Sequence, residues 1–177
     1  MSEYLKIETG KSYFITFTVT DWLDVFLREV YSDILVESIQ YCQKEKGLEV
    51  YAYCIMPSHV HMIASAGEGN LSNILRDLKG YTSKAIVRAI EQNRQESKRE
   101  LFLERFRMAA QKSNRHKHYC FWRETNHPLE LYSDKFIIQK ETYIHMNPVE
   151  LGLVSKPEYY RLSSACEDSP VKVLPWR

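Results

Sequence analysis

Long apolar runs are missing from this 177-residue sequence. A membrane-crossing helix needs about 18 or more consecutive apolar residues, so no helical span and no membrane partner are expected. The opening Met1-Ser2-Glu3-Tyr4-Leu5-Lys6 lacks the charged-then-apolar layout of a secretory signal, and the expectation is a cytoplasmic protein. Cysteine is scarce and unpaired in spacing, at positions 42, 54, 120 and 166. That argues against a disulfide frame or zinc ribbon and for reduced, mostly buried thiols. No Walker-type phosphate loop is present, and no histidine has Ser or Thr two residues on, which excludes the phosphoesterases built on two His-x-Ser/Thr motifs.

Charge of one sign is also absent overall, since the net charge is +1. The distribution is uneven. Between Arg76 and Arg123 stand 13 Lys and Arg against 5 Asp and Glu, while the remainder is acidic. A basic middle attracts phosphate. A solvated helix face laced with ion pairs, as in Gln95-Glu-Ser-Lys-Arg-Glu100, reads equally well on charge alone.

The length and the 44% hydrophobic content fit one domain. Lys11 to Thr20 is rich in β-branched and aromatic residues and reads as a strand ending at Asp21. Phe26, Val30, Ile34, Leu35, Ile39 and Cys42 recur at helical spacing, with Asp21 or Asp24 to cap the start and Gly47 to end it. Strands over 49–56 and 59–65 are joined by a Pro57-Ser58 turn, and Gly67-Glu68-Gly69 closes the hairpin unit. Leu71 to Ala89 is a second amphipathic helix, capped by Asn70 and weakened at Gly80. The stretch 94–114 is helical but charged, with Leu101, Phe102, Phe106 and Ala109 as its stripe, and reads as a surface excursion. Tyr119 to Trp122 and Leu129 to Tyr132 flank a turn at Asn126-His127-Pro128 and hold the last strand. Ser133 or Asp134 caps a final helix that Pro148 ends. The order predicts an α+β fold: a ferredoxin-like split βαβ sandwich, its four-stranded antiparallel sheet carrying helices on one face, plus a C-terminal helix bearing Tyr143. The core runs over about 13–154, with a charged helical insertion over about 94–118 and a tail over about 155–177.

His59 and His61 alternate along a strand, so both rings point to one face and can grip one divalent ion. Tyr143 and Asn147 lie one helical turn apart. A cation on this pair would neutralise charge building on a phosphodiester and assist a phenol, which at its ordinary pKa of about 10 is a poor nucleophile at neutral pH. Attack by Tyr143 would leave a phosphotyrosine, preserving the bond for resealing without ATP. Asn147 is a candidate third ligand for Mg²⁺ or Mn²⁺, although its place before Pro148 favours a helix cap on sequence alone. Lys79, Tyr81, Thr82 and Lys84 combine charge, hydroxyl and ring as contacts for single-stranded or hairpin DNA, or form a solvated helix face. His116, His118 and Cys120 alternate too, but Lys112, Arg115 and Lys117 beside them would repel a cation. They read better as a phosphate-contacting loop.

These motifs resemble the single-tyrosine HUH transposases, and within them the REP-associated, insertion-sequence-like branch. The resemblance rests on Tyr53-Cys-Ile-Met-Pro-Ser-His-Val-His-Met62, Leu78-Lys-Gly-Tyr-Thr-Ser83, Phe121-Trp122, Tyr143-Ile-His-Met-Asn-Pro-Val-Glu-Leu-Gly-Leu-Val154 and Pro157-Glu-Tyr-Tyr-Arg-Leu-Ser-Ser164. It spans roughly Tyr13 to Ala165. It implies His59, His61 and Asn147 as metal ligands, Tyr143 as nucleophile, and a 5′-phosphotyrosine on single-stranded DNA beside a hairpin. A prokaryotic, nucleoid-associated setting is a further expectation; pairing into a homodimer stays open, since single-tyrosine enzymes often pair and the REP-associated branch need not. Ser58 stands where relatives often carry Asn. Two competing readings are a domesticated nucleic-acid-binding module with idle catalysis, and a phosphodiesterase whose metal activates water.

Overall fold

The computed structural model describes residues 10–67, 69–124 and 128–176. The predicted turn residues Asn126 and His127, Glu68 and the first nine residues lie outside them. Strand β1 is Tyr13–Thr18, helix α1 Glu29–Lys46, strand β2 Leu48–Ile55 and strand β3 His59–Ala66. Helix α2 is Leu71–Gln92, helix α3 Arg99–Gln111, strand β4 Leu129–Glu130 and helix α4 Asp134–Glu150. The sheet order is β2-β3-β1-β4, with every pairing antiparallel. This is the split βαβ arrangement the element order predicts: β3 fills the gap between the parallel β1 and β2.

Alternation divides the sheet into two faces. Tyr13, Ile15 and Phe17 of β1 and Val60, Met62 and Ala64 of β3 join the main core, with Leu35 and Ile39 of α1 and Leu75 and Ile86 of α2. The opposite face carries a smaller cluster in which Ala52, Cys54 and Ile63 meet Ile137 and Ile144 of α4. A bulge at Tyr51 shifts the β2 register between Val50 and Ala52, so Val50 and Tyr53 both point into the main core. The outer edge of β2 is covered by the chain after α4. Ile55 N–H donates to Leu162 O at 2.8 Å, Ser164 N–H to Tyr53 O at 2.9 Å and Leu174 N–H to Val50 O at 2.8 Å.

The caps at Gly47, Asn70 and Ser133 act as predicted: Gly47 adopts φ 70°, and the two side chains accept from Asn73 N–H and Phe136 N–H. All four cysteines are free thiols, three of them buried. Several boundaries differ. Helix α1 begins at Glu29, because Asp24 is engaged by Lys98 Nζ at 2.7 Å and leads into a 3-10 turn over Val25–Leu27. The last strand shrinks to two residues, supplemented by an isolated bridge between Val19 and Trp122.

Helix α4 runs through Pro148 to Glu150. Carbonyls near its end are taken by Leu151 N–H, on Asn147, and Leu153 N–H, on Pro148, so the missing proline N–H falls where few helical bonds remain to be lost. Helix α3 is no mere surface excursion. Its buried stripe is Phe102, Leu103, Phe106 and Ala110, while Leu101 stays exposed. The reason is packing on the main core, where Phe106 meets Phe121, and Arg28 bridges to Glu96 at 2.9 Å just ahead of the helix. Leu103→Ala is expected to lower unfolding free energy in urea by about 2–5 kcal/mol, and Leu101→Ala by no more than about 0.5 kcal/mol.

Candidate active site

The antiparallel register of β1 and β3 sets Thr16 opposite His61 and Thr18 opposite His59. The Thr16 hydroxyl lies 2.9 Å from His61 Nδ1, and the Ser58 hydroxyl 3.1 Å from His59 Nδ1. Both rings are therefore held through Nδ1, which leaves Nε2 of His61 for other work. The ring centroids stand 4.7 Å apart. Phe14, also on this face of β1, stacks on His61 at 5.5 Å.

Helix α4 brings the phenol to the pair. Tyr143 and Asn147 immediately precede the buried anchors Ile144 and Pro148, so one packed stripe orients both. The Tyr143 ring meets His61 edge-on at 5.2 Å and Phe14 at 6.0 Å, while the residue remains 43% exposed. Asn147 Nδ2 donates to the Tyr143 carbonyl at 3.1 Å, and the Asn147 side chain also hydrogen-bonds His59. The four residues singled out from the sequence thus converge from two elements far apart in the chain.

Burial sets their charge. His61 is 5% exposed, and desolvation, reinforced by His59 and Lys140, pushes its pKa down to about 3. Desolvation also lowers the His59 pKa, opposed by the hydrogen bond with Asn147. Both imidazoles are therefore neutral at pH 7, the form that ligates metal. His61 Nε2 is buried without a hydrogen-bond partner, an unsatisfied atom of the kind that marks a missing ligand or a functional group. This orphaned nitrogen, the second neutral ring and a nearby amide fit a divalent cation. Among the described residues no cluster of three or more His, Cys, Asp or Glu could hold a metal. The amide beside the pair is that of Asn147.

The expected DNA contacts divide. Thr82 is fully buried: its hydroxyl donates to Leu78 O at 2.7 Å and accepts from Trp122 Nε1 at 3.0 Å, so it is removed from the contact set. Lys79 folds inward over Phe17, with Nζ 3.3 Å from Arg123 O, and desolvation pulls its pKa down to about 8. Tyr81, Lys84, Arg115 and Lys117 are exposed. Tyr81 and Lys84 sit on α2, in the helical layer across the sheet from the histidines.

Sequence reasoning missed Thr16, Phe14, Lys140 and Trp22. Alternation along β1 could have flagged the first two. Lys140, one turn before Tyr143, places its ammonium 4.9 Å from the Phe14 centroid and 5.7 Å from that of Tyr143. Trp22 meets His59 edge-on at 5.2 Å from a turn whose positive φ no composition signal announces.

The sheet and the helical layer define an α+β protein, with the histidine pair and its facing tyrosine on the α4 side of the sheet. The sequence model described as "Transposase IS200 like" matches residues 10–120, and the chain belongs to that family of DNA-processing enzymes. The matched segment includes both histidines and stops before Tyr143. The fold is similar to that of the REP-associated tyrosine transposase bound to a REP hairpin, at TM-score 0.65 and 19% identity, covering 93% of this chain and 82% of that one. A candidate transposase from Deinococcus radiodurans R1 aligns at TM-score 0.46 and 19% identity, over 77% of this chain and 91% of that one, too loosely to carry an argument. No curated protein matches the chain. Among the described residues no helix is long and apolar enough to cross a membrane.

The depressed histidine pKa values have a consequence for folding. The unfolded chain binds protons at an ordinary imidazole near pH 6.5 that the folded chain refuses, so stability is full above that pH and falls below it. Metal-free protein is expected to lose up to about 1.4 kcal/mol per pH unit at His61 between pH 6.5 and 5, above the range where most carboxylates titrate. In urea titrations His61→Gln should flatten that slope, and an unchanged slope would contradict the account.

Proposed function

We propose that this chain nicks and rejoins single-stranded DNA beside a hairpin, with Tyr143 as nucleophile and a Mg²⁺ or Mn²⁺ ion held by His59, His61 and Asn147. The observation that carries the reading is the buried, unpartnered Nε2 of His61 one ring contact away from the Tyr143 phenol. When bound, the cation would supply Lewis-acid stabilisation of charge on the scissile phosphate.

The chain's own residues do the rest. Thr16 and Ser58 orient the two imidazoles through Nδ1, and burial keeps those rings neutral. Tyr143 Oη attacks phosphorus as the P–O3′ bond breaks; the phenol gives up its proton and the departing 3′ oxygen gains one. The phosphate stays on Tyr143 as a 5′-phosphotyrosine. One phosphate ester bond forms as another breaks, so a free 3′-hydroxyl can reverse the step without ATP. Lys140 places positive charge close to where negative charge gathers.

The hairpin is proposed because the solved relative is bound to one. Lys84, Arg115 and Lys117, with Tyr81, are proposed as DNA contacts on the strength of their exposure and the basic middle of the sequence. Both histidines and the tyrosine come from one chain, so a single copy can assemble the site and a homodimer is not required for it.

With Mn²⁺ and hairpin-bearing single-stranded DNA, the protein is expected to form an adduct that survives a denaturing gel. Tyr143→Phe or chelation of the metal should abolish it. Cleavage persisting in Tyr143→Phe would transfer the role of nucleophile to water. Thr16→Val should leave the fold intact and raise the Mn²⁺ concentration needed for half-maximal adduct about 10–100-fold, the usual loss when a ligand's outer partner is removed. An unchanged Mn²⁺ requirement would separate Thr16 from metal binding.

A further inference from the structure

Asp21 and Trp22 have φ of 54° and 55°, and among the described residues they alone combine positive φ with a side chain other than glycine's. Two adjacent left-handed residues, one of them bulky, persist only where the surroundings over-determine them. Here they do. Val19 N–H donates to Ser58 O at 2.9 Å, Thr20 N–H to Phe121 O at 2.8 Å, the Thr20 hydroxyl to Cys120 O at 2.6 Å and Phe26 N–H to Pro57 O at 2.9 Å. The strained turn is thus tied directly to the Pro57-Ser58 turn from which His59 begins.

The turn holds an indole in solvent. Trp22 is 54% exposed, meets His59 edge-on at 5.2 Å and has the Arg123 guanidinium 5.9 Å from its ring centroid. Exposure alone argues nothing, because single exposed aromatics are common. Among the described residues, strain, anchoring and contact with a candidate ligand combine only at this ring. The guanidinium beside it is charged, and the preceding residue of the turn, Asp21, faces Arg105 at 3.9 Å. An apolar protein patch would find little to cover. A flat ring with a guanidinium beside it matches an unpaired nucleobase and its phosphate.

We propose that Trp22 is a stacking platform for one unpaired base of the DNA strand at the cleavage site, with Arg123 contacting the adjoining phosphate. The inference rests on the strand-transfer reading above and assigns a residue that sets how the strand is held there.

Binding is measured in the Tyr143→Phe background, where no chemistry follows, by titrating a hairpin oligonucleotide with a single-stranded flank and following tryptophan fluorescence and anisotropy. Trp22→Ala and Trp22→Gly are each expected to weaken binding about ten-fold, and Trp22→Phe to retain most of the affinity. Trp22→Gly relieves the left-handed backbone, so its thermal midpoint should not fall; that variant keeps the test valid if Trp22→Ala folds poorly. An abasic step walked through the flank should find one position whose loss is matched by Trp22→Ala and not added to it. Wild-type affinity in Trp22→Gly, or additivity at every abasic position, would overturn the proposal and leave the ring to the fold or to a protein partner. Adduct formation by the chain with Tyr143 intact is scored separately. Binding lost with Trp22 but no adduct would retire strand transfer and keep the platform, whereas an adduct with Trp22-independent binding would do the reverse.

Discussion

The register of β3 is the constraint on which the site depends. Val60, Met62 and Ala64 are drawn into the main core between β1 and β2, and a strand's period of two then forces His59 and His61 onto the opposite face. A slip of one residue would bury two imidazoles among aliphatic side chains and turn the core residues outward. The bulge at Tyr51 serves the same end on β2, bringing Tyr53 into the main core while Ala52 and Cys54 line the histidine face under α4. Hydrophobic burial, which knows nothing of chemistry, thereby aims the two candidate ligands.

That burial also sets their chemical state. Packing strips water from His61, so the ring stays neutral and its Nε2 stays unpartnered. Ile144 and Pro148 seat α4 on the same face, and the residues one step ahead of them, Tyr143 and Asn147, fall beside the imidazoles. Lys140 adds a cation one turn earlier, resting over Phe14 and Tyr143. Scaffold and reactive groups are one packed unit, with the exposed phenol at its open side.

Much of this was legible in the sequence. His-Val-His on an apolar strand gives the shared face outright, and the spacing of Tyr143 and Asn147 gives theirs. Gly47, Asn70 and Ser133 announce their helix ends through backbone chemistry that acts locally. The failures are tertiary. Thr82 looked like a surface hydroxyl because its helix is amphipathic, but the hydroxyl is claimed by the Leu78 carbonyl and the Trp122 indole, and no local pattern encodes a partner 40 positions away. The stripe of α3 keeps the expected Phe102 and Phe106 but takes Leu103 and Ala110 in place of Leu101 and Ala109, because its phase is set by Phe121 and the Arg28–Glu96 pair, not by its own composition. Trp22 was missed because its turn is held by hydrogen bonds to distant loops rather than by glycine.

The central claim is that His59, His61 and Asn147 share one cation beside Tyr143. Anomalous scattering from a crystal of the protein grown with Mn²⁺ tests it most directly. The account predicts one manganese peak bonded to Nε2 of both histidines and to the Asn147 amide oxygen. A well-ordered crystal at saturating Mn²⁺ whose manganese lies elsewhere, with His61 Nε2 still without a metal bond, would contradict it.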